Sequence, residues 1–333
     1  MSAFIQAISY YLPQEILTND NLCEIFPVLT KEEIFAKTGI RKRHISATGE
    51  TASDLAFKAA KKLFRENKIN PASIDYIILC TETPDYIAPA SSCILQHRLG
   101  LPETDGAIDI TQGCSGFVYS LSVAKGLVES GQAKNVLLLT AETETKVIHP
   151  DDTECRMIFG DGAAATLISS SAKKGIGNFI FGTDGKGAKH LLIESSGFRN
   201  PVNERWLKKN KSAGGMINGK MHMNGTEIFV FALKVVPALV QNILEKNNLK
   251  MNDIDFFVFH QPNVFLLETL RRKIKIPQEK FIVELENFGN TVSSTIPIAL
   301  CEAIKSGKIK RGMKILVAGF GIGYSWAGTV IQY

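Results

Sequence analysis

No run of apolar residues in the 333-residue sequence approaches the ~20 that a membrane-spanning helix needs, so no membrane insertion is expected. Blocks of like charge are missing too: 38 Lys and Arg stand against 33 Asp and Glu, and the net +5 is spread along the chain. That pattern argues against a nucleic-acid surface and leaves only a mild attraction to acidic or phosphorylated partners. The six cysteines (Cys23, Cys80, Cys93, Cys114, Cys155, Cys301) lie far apart and include no CxxC pair. A chain this long is no disulfide scaffold either, so five of the six read as small buried hydrophobes. The N-terminal MSAFIQAISYYLPQEILTND has no basic lead-in and no small-residue cleavage site, and the cytoplasm is the expected location. At 45% hydrophobic and 21% charged, the chain has ordinary globular composition, enough for two domains or one duplicated one.

Duplication is the better description. KKLFRENKINPASID (61–75) aligns with QNILEKNNLKMNDID (241–255) at a constant offset of 180, pairing Leu63 with Ile243, Phe64 with Leu244 and Asp75 with Asp255. Each copy reads as an amphipathic helix, a polar turn and a buried strand. SGQAKNVLLLTAE (130–142) and SGKIKRGMKILVAGFG (306–321) repeat the pattern, as do FGDGAAATLI (159–168) and IGYSWAGTVI (322–331). The apolar runs Tyr76–Leu79, Val136–Leu139, Phe256–Phe259 and Ile315–Val317 are continuous, as expected of strands covered on both faces. The expectation is a layered α/β fold from two similar halves, residues 1–170 and 175–333, with 184–222 a surface excursion acting as a lid or binding loop.

Four segments carry chemistry. In DITQGCSGFVY (109–119), Cys114 lies between two glycines after a short strand and before an amphipathic helix. Helix N–H groups and the positive end of the dipole would favour thiolate there and depress the thiol pKa; the plain alternative is a tight-turn cysteine. His260 ends the strand FFVFH and opens HQPN, a place where α/β folds gather functional side chains, although a single histidine is more often structural. Asn290, in ENFGNTVSS, falls in the counterpart of the cysteine turn, where a helix cap is the plain alternative. GFGIGYSW (319–326) is a glycine-rich turn whose free N–H groups suit an oxyanion, and with no helix after it, it fails as a nucleotide loop.

Taken in order along the whole chain, TNDNL (18–22), TGIRKRHI (38–45), the cysteine turn, FGDGAAA (159–165), HQPN, NFGNT and the terminal glycine turn resemble the β-ketoacyl-acyl-carrier-protein synthase III family. The resemblance implies the thiolase-like α-β-α-β-α fold and an acyltransferase of fatty-acid biosynthesis that works as a homodimer. It implies Cys114 as acyl-accepting nucleophile, with His260 and Asn290 binding the thioester carbonyl of a malonyl unit. The oxyanion would be held by the backbone N–H groups of Cys114 and Ile322. Lys37, Thr38, Gly225, Phe229 and Asn263 match the pantetheine tunnel and its mouth. The implied partners are acyl carrier protein, acyl-coenzyme A and a malonyl thioester, and no metal or redox cofactor is called for.

The sequence also departs from the family. Glu33 and Thr153 stand where a tryptophan and an arginine often clamp the adenine of coenzyme A, which favours carrier-bound or unusual donors. Ala88 replaces the bulky aromatic that closes the acyl pocket across the dimer, which points to a primer longer than acetyl. Glu82 falls where the related hydroxymethylglutaryl-coenzyme A synthases carry a catalytic glutamate, so that condensation stays open. So do a cysteine-dependent transfer to an amine or hydroxyl and a non-catalytic partner subunit. A papain-type hydrolase shares Cys, His and Asn but not the repeat or the terminal turn.

Overall fold

The chain is seen in a computed structural model that describes residues 1–172, 175–195, 197–209 and 221–333. The first half contributes β1 (Ser2–Tyr11), β4 (Tyr76–Cys80), β5 (Gly106–Ile110), β6 (Asn135–Glu142) and β7 (Gly162–Ser171) to a sheet of order β1-β7-β6-β4-β5. The second contributes β8 (Ile180–Thr183), β11 (Phe256–Phe259), β12 (Phe281–Ile282), β13 (Lys314–Gly321) and β14 (Ser325–Gln332) in the order β8-β14-β13-β11-β12. The strand senses match as well, with the β4 and β11 pairs parallel and the pairs at the β1 and β8 side antiparallel. Two small ribbons complete the strands: β2 (Glu15–Thr18) with β3 (Lys42–Ile45), and β9 (Leu191–Ile193) with β10 (Met221–Met223).

The offset of 180 read from the sequence recurs in backbone detail. Lys68 and Asn248 both leave their helices at positive φ, 53° and 55°. Asp75 Oδ2 takes the N–H groups of Lys134 and Asn135 at 2.8 Å, and Asp255 Oδ2 takes that of Lys314 at 2.8 Å. Each aspartate thus pins the start of the central strand of its own sheet.

Layering follows from the continuous apolar strands. Ile78, Val136 and Leu138 of one sheet, and Val258, Ile315 and Val317 of the other, point inward onto the helices Gly116–Glu129 and Thr295–Lys305. Their neighbours Ile77, Leu79, Leu137 and Leu139 point outward beneath the helix Ala52–Asn67. Phe257, Phe259, Leu316 and Ala318 do the same beneath the helices Gly225–Lys246 and Val264–Ile274. Alternation still operates, but both faces meet helices, so the polar half of the pattern disappears. The result is the expected α-β-α-β-α stack.

One expectation is corrected. Gly225–Lys246 has a mean hydropathy of 1.7 over an 18-residue window and is long and apolar enough to span a membrane. Its apolar stripe (Phe231, Val236, Leu239, Val240, Ile243) is instead buried against β13 and β14, so its length serves the outer layer of the core.

Candidate active site

Cys114 lies in the turn between β5 and the helix Gly116–Glu129 and is only 6% exposed. The other half of the molecule closes over it. A Cβ on Gly321 would stand 2.6 Å from both Cβ and Sγ of Cys114, and one on Gly319 would stand 2.8 Å from Ser115 Cα, so the end of β13 must be glycine. The next N–H, that of Ile322, donates to the Cys114 sulfur. Ser325 Oγ lies 2.6 Å from Ser115 Oγ, 2.8 Å from the Ile322 carbonyl and 3.2 Å from Gln112 Oε1, locking the glycine turn onto the cysteine turn.

His260 follows β11 and is buried, its backbone N–H donating to the Ala318 carbonyl at 2.8 Å. Burial pulls its pKa down to about 3, against a smaller opposing pull from a hydrogen bond with the Val292 backbone, so the imidazole is neutral at physiological pH. Its Nδ1 lies 2.7 Å from Thr295 Oγ1, which also lies 2.9 Å from the Val292 carbonyl. With the Thr295 hydroxyl donating to the Val292 carbonyl, its oxygen accepts from Nδ1–H in this arrangement; turned onto Nδ1, the same hydroxyl would leave the ring proton on Nε2.

Asn290 is anchored at both ends of its peptide, donating to the Ile158 carbonyl at 2.9 Å and accepting from the Gly160 N–H at 3.1 Å. Its Oδ1 accepts the Val292 N–H at 2.9 Å, which leaves the NH₂ end of the carboxamide as the free donor. Val292 holds φ +51°, a left-handed conformation that is an outlier for a β-branched residue. Such strain persists only where packing enforces it; Val292 packs in one buried cluster with Cys114, Val147, Ile148 and Phe159.

Cys114, His260 and Asn290 line one apolar cavity of about 100 Å³, together with Gly225, Phe229, Asn263, Phe320 and Gly321. Asn263 also caps the helix Val264–Ile274 by accepting the Leu266 N–H at 2.8 Å, and Phe229 stacks on Phe265 with centroids 5.5 Å apart. Three expected substrate-binding residues are not brought to the cavity of their own chain. Lys37 is exposed, and the Thr38 hydroxyl is used locally, donating to the Ile34 carbonyl at 2.7 Å and accepting from Ile40 N–H at 3.0 Å. Ala88 is exposed on a loop with Tyr86 and Ile87. Glu33 is occupied in a helix cap with Thr30. The base of the 184–222 excursion forms a wall, since Leu191 of β9 and Met223 of β10 line the cavity; residues 196 and 210–220 lie outside the described residues. A larger cleft of about 470 Å³, bordered by Lys125, Asn247 and Lys314, contains none of the residues named for chemistry.

Comparisons with known proteins agree with this geometry. Residues 108–185 match the family model for 3-oxoacyl-[acyl-carrier-protein] synthase III, and residues 244–333 match the model for its C-terminal part. The chain is 39% identical over 323 residues to the β-ketoacyl-[acyl-carrier-protein] synthase III of Clostridium perfringens, covering 97% of this chain and 96% of that one. The chain belongs to the 3-oxoacyl-[acyl-carrier-protein] synthase III family. A crystal structure of a 3-oxoacyl-(acyl-carrier-protein) synthase III superposes with a TM-score of 0.96 at 46% identity, covering 100% of both chains. The enzyme from Thermus thermophilus superposes with a TM-score of 0.89 at 34% identity, covering 99% of each chain.

Within this synthase III framework, one electrostatic expectation is reversed. The Cys114 thiol is pushed up, not down: burial is the largest cause, followed by the charge of Glu82, with Glu144 and Glu142 adding to it. The Ile322 N–H opposes them without winning. The helix proper begins at Gly116, two residues on, so the dipole does not outweigh burial beside carboxyls. Sequence reading missed Thr295, the partner of His260, and the carboxyls of Glu142 and Glu144. Two glutamates at the end of a buried strand, in TAETE, were the available signal.

Two outcomes follow. Alkylation of Cys114 by iodoacetamide should keep accelerating through pH 9 without a plateau; a plateau near pH 7 would show a thiolate already formed. Glu82 is raised from 4.5 to about 7 by burial, so its ionisation opposes folding as pH rises from the unfolded value through the folded one. Glu82→Gln should therefore melt close to the unsubstituted protein at pH 4.5 and increasingly above it by pH 8, as followed by calorimetry.

Proposed function

We propose that this protein is a decarboxylating condensing enzyme in which Cys114 carries the acyl group and His260 and Asn290 handle the malonyl unit. The observation that carries the reading is the convergence of a buried thiol and two uncharged donors on one cavity, with the Ile322 N–H aimed at the sulfur. In the first half-reaction the sulfur attacks the carbonyl of a primer thioester. The tetrahedral oxyanion is held by the N–H groups of Cys114 and Ile322, and the departing thiol leaves with the proton the cysteine gives up. In the second, the malonyl thioester loses CO₂, and negative charge gathers on its thioester oxygen. With the Thr295 hydroxyl turned from the Val292 carbonyl onto Nδ1, His260 Nε2–H and the Asn290 NH₂ donate to that oxygen, the new carbanion attacks the acyl carbon, and the cysteine sulfur leaves and is reprotonated. Neutral donors suit this step because neither has to lose or gain a proton. Decarboxylation drives the carbon–carbon bond with no net redox change, so the chemistry needs no metal and no redox cofactor.

The donors of the acyl and malonyl groups are acyl carrier protein or coenzyme A thioesters, and the reaction runs in the cytoplasm. A homodimer is supported by β5, which is the edge of its sheet and only half-buried, next to the exposed loop bearing Tyr86 and Ile87. In such a dimer Ala88 would reach the partner's acyl pocket, and its small side chain suits a primer longer than acetyl.

Incubation with acyl thioesters should add one acyl mass to the protein, and none to Cys114→Ala. His260→Ala and Asn290→Ala should each lower CO₂ release from malonyl carrier protein by about 10²–10³, while acylation persists. Thr295→Val removes the hydroxyl that sets the imidazole proton and should slow CO₂ release by about tenfold with a smaller effect on acylation. Equal loss in both half-reactions would place Thr295 outside this role, and absence of CO₂ release from the unsubstituted protein would favour simple acyl transfer.

A further inference from the structure

The three glutamates that push up the Cys114 thiol are not equivalent. Glu142 is fully engaged: Ser293 Oγ donates to its Oε1 at 2.6 Å, while the Glu82 N–H at 2.9 Å, Thr81 Oγ1 at 3.2 Å and Thr83 Oγ1 at 3.3 Å surround its Oε2. Glu144 is different. It opens the turn Glu144–Val147, is 1% exposed, and its Oε2 has no hydrogen-bond partner. Glu82, at the end of β4, lays its carboxyl against the Cα of Gly113, where any side chain would collide with it. Among the described residues no donor reaches the Glu82 carboxyl, and burial is the one influence that raises its pKa. Neither Glu82 nor Glu144 has a lysine, arginine or histidine acting on it.

Val147, Ile148 and Cys155 pack with Cys114 in a single buried cluster, and the carboxyls that act on Glu144 besides Glu82 are both engaged, Glu142 as above and Asp161 by Ser46 and Thr145. A buried carboxyl oxygen without a donor, such as Glu144 Oε2, is costly, and its persistence calls for a partner; the half-buried Glu82 carboxyl stands beside the cysteine turn. The arriving molecule at Cys114 is the primer acyl chain. We propose that Glu144 and Glu82 form a subsite for a hydrogen-bond donor on that chain, a hydroxyl or an amine close to the thioester, so that the enzyme takes a polar primer rather than a plain alkyl one. This rests on the reading of Cys114 as the acyl acceptor. A plain alkyl chain would leave the Glu144 oxygen orphaned, and sites built around a hydrogen bond discriminate strongly against analogues that lack it. Service as the base for Cys114 is the competing use of Glu82, but a base would act alike on every primer. An ionised carboxyl there also disfavours the thiolate.

The test compares butyryl-, 3-hydroxybutyryl- and 3-aminobutyryl-coenzyme A as donors, reading the rate of Cys114 acylation by intact mass. The unsubstituted protein should take one of the two polar primers at least about tenfold faster than butyryl, and which one identifies the donor as hydroxyl or amine. Glu144→Leu should collapse that ratio towards one, and Glu82→Thr should reduce it. Preference for butyryl in the unsubstituted protein, a measurement that needs no variant, overturns the proposal. So does an equal slowing of all three primers by Glu82→Thr with the ratio kept. Butyryl transfer followed by normal condensation, with no polar preference, would sink the subsite and leave the condensing reading intact. Failure of all three to label Cys114 would sink both.

Discussion

Everything at the site depends on the contact between the two halves at the end of β13, where Gly319 and Gly321 press against the backbone and sulfur of Cys114. No other residue type fits at that distance. The contact places the Ile322 N–H on the sulfur and lets Ser325 bind Ser115 across the seam. In the proposed mechanism each half supplies what the other lacks: the first a nucleophile on a turn, the second the donors that receive negative charge. A single half would bury neither group, because Cys114 is covered by β13 and His260 is seated by Thr295 at the start of the helix that packs between the sheets.

The fold was largely legible because duplication writes the same pattern twice. The offset of 180 found in the letters reappears as matching left-handed residues, Lys68 and Asn248, and as matching aspartate clamps, Asp75 and Asp255. Continuous apolar runs correctly signalled strands covered on both faces. The helix Gly225–Lys246 was harder, since hydropathy alone does not tell an outer core helix from a membrane span. Its burial against β13 and β14 is a tertiary fact.

Site legibility followed a similar divide. Cys114, His260 and Asn290 occupy turns and strand ends that local sequence marks, and all three reach the cavity. Thr38 and Lys37 lie in a matching motif, yet the Thr38 hydroxyl is consumed by its own helix end and Lys37 faces solvent. Glu142 and Thr295 were missed because their partners lie far away in the chain, Ser293 for Glu142 and His260 for Thr295, and the glutamate pair of TAETE marked the place without showing what it faces. The thiol pKa was misjudged for a related reason: helix position is local and readable, whereas burial and the approach of Glu82 are not.

The same dryness that raises the thiol pulls His260 down to about 3. These shifts look opposed in their effect on catalysis, since one withholds the thiolate and the other secures a neutral donor. They are a single consequence of excluding water, which penalises whichever form carries charge. A site that stabilises a transient oxyanion and a transient enolate, as proposed for this one, gains from that exclusion, because fixed N–H donors act more strongly where water does not compete. In the proposed mechanism the resting thiol therefore stays protonated, and its activation belongs to the encounter with the thioester, when the Ile322 N–H and the developing oxyanion are both in place. Strain at Val292 fits this arrangement: a φ of +51° is tolerated because its N–H fixes the Asn290 carboxamide with the donor end free.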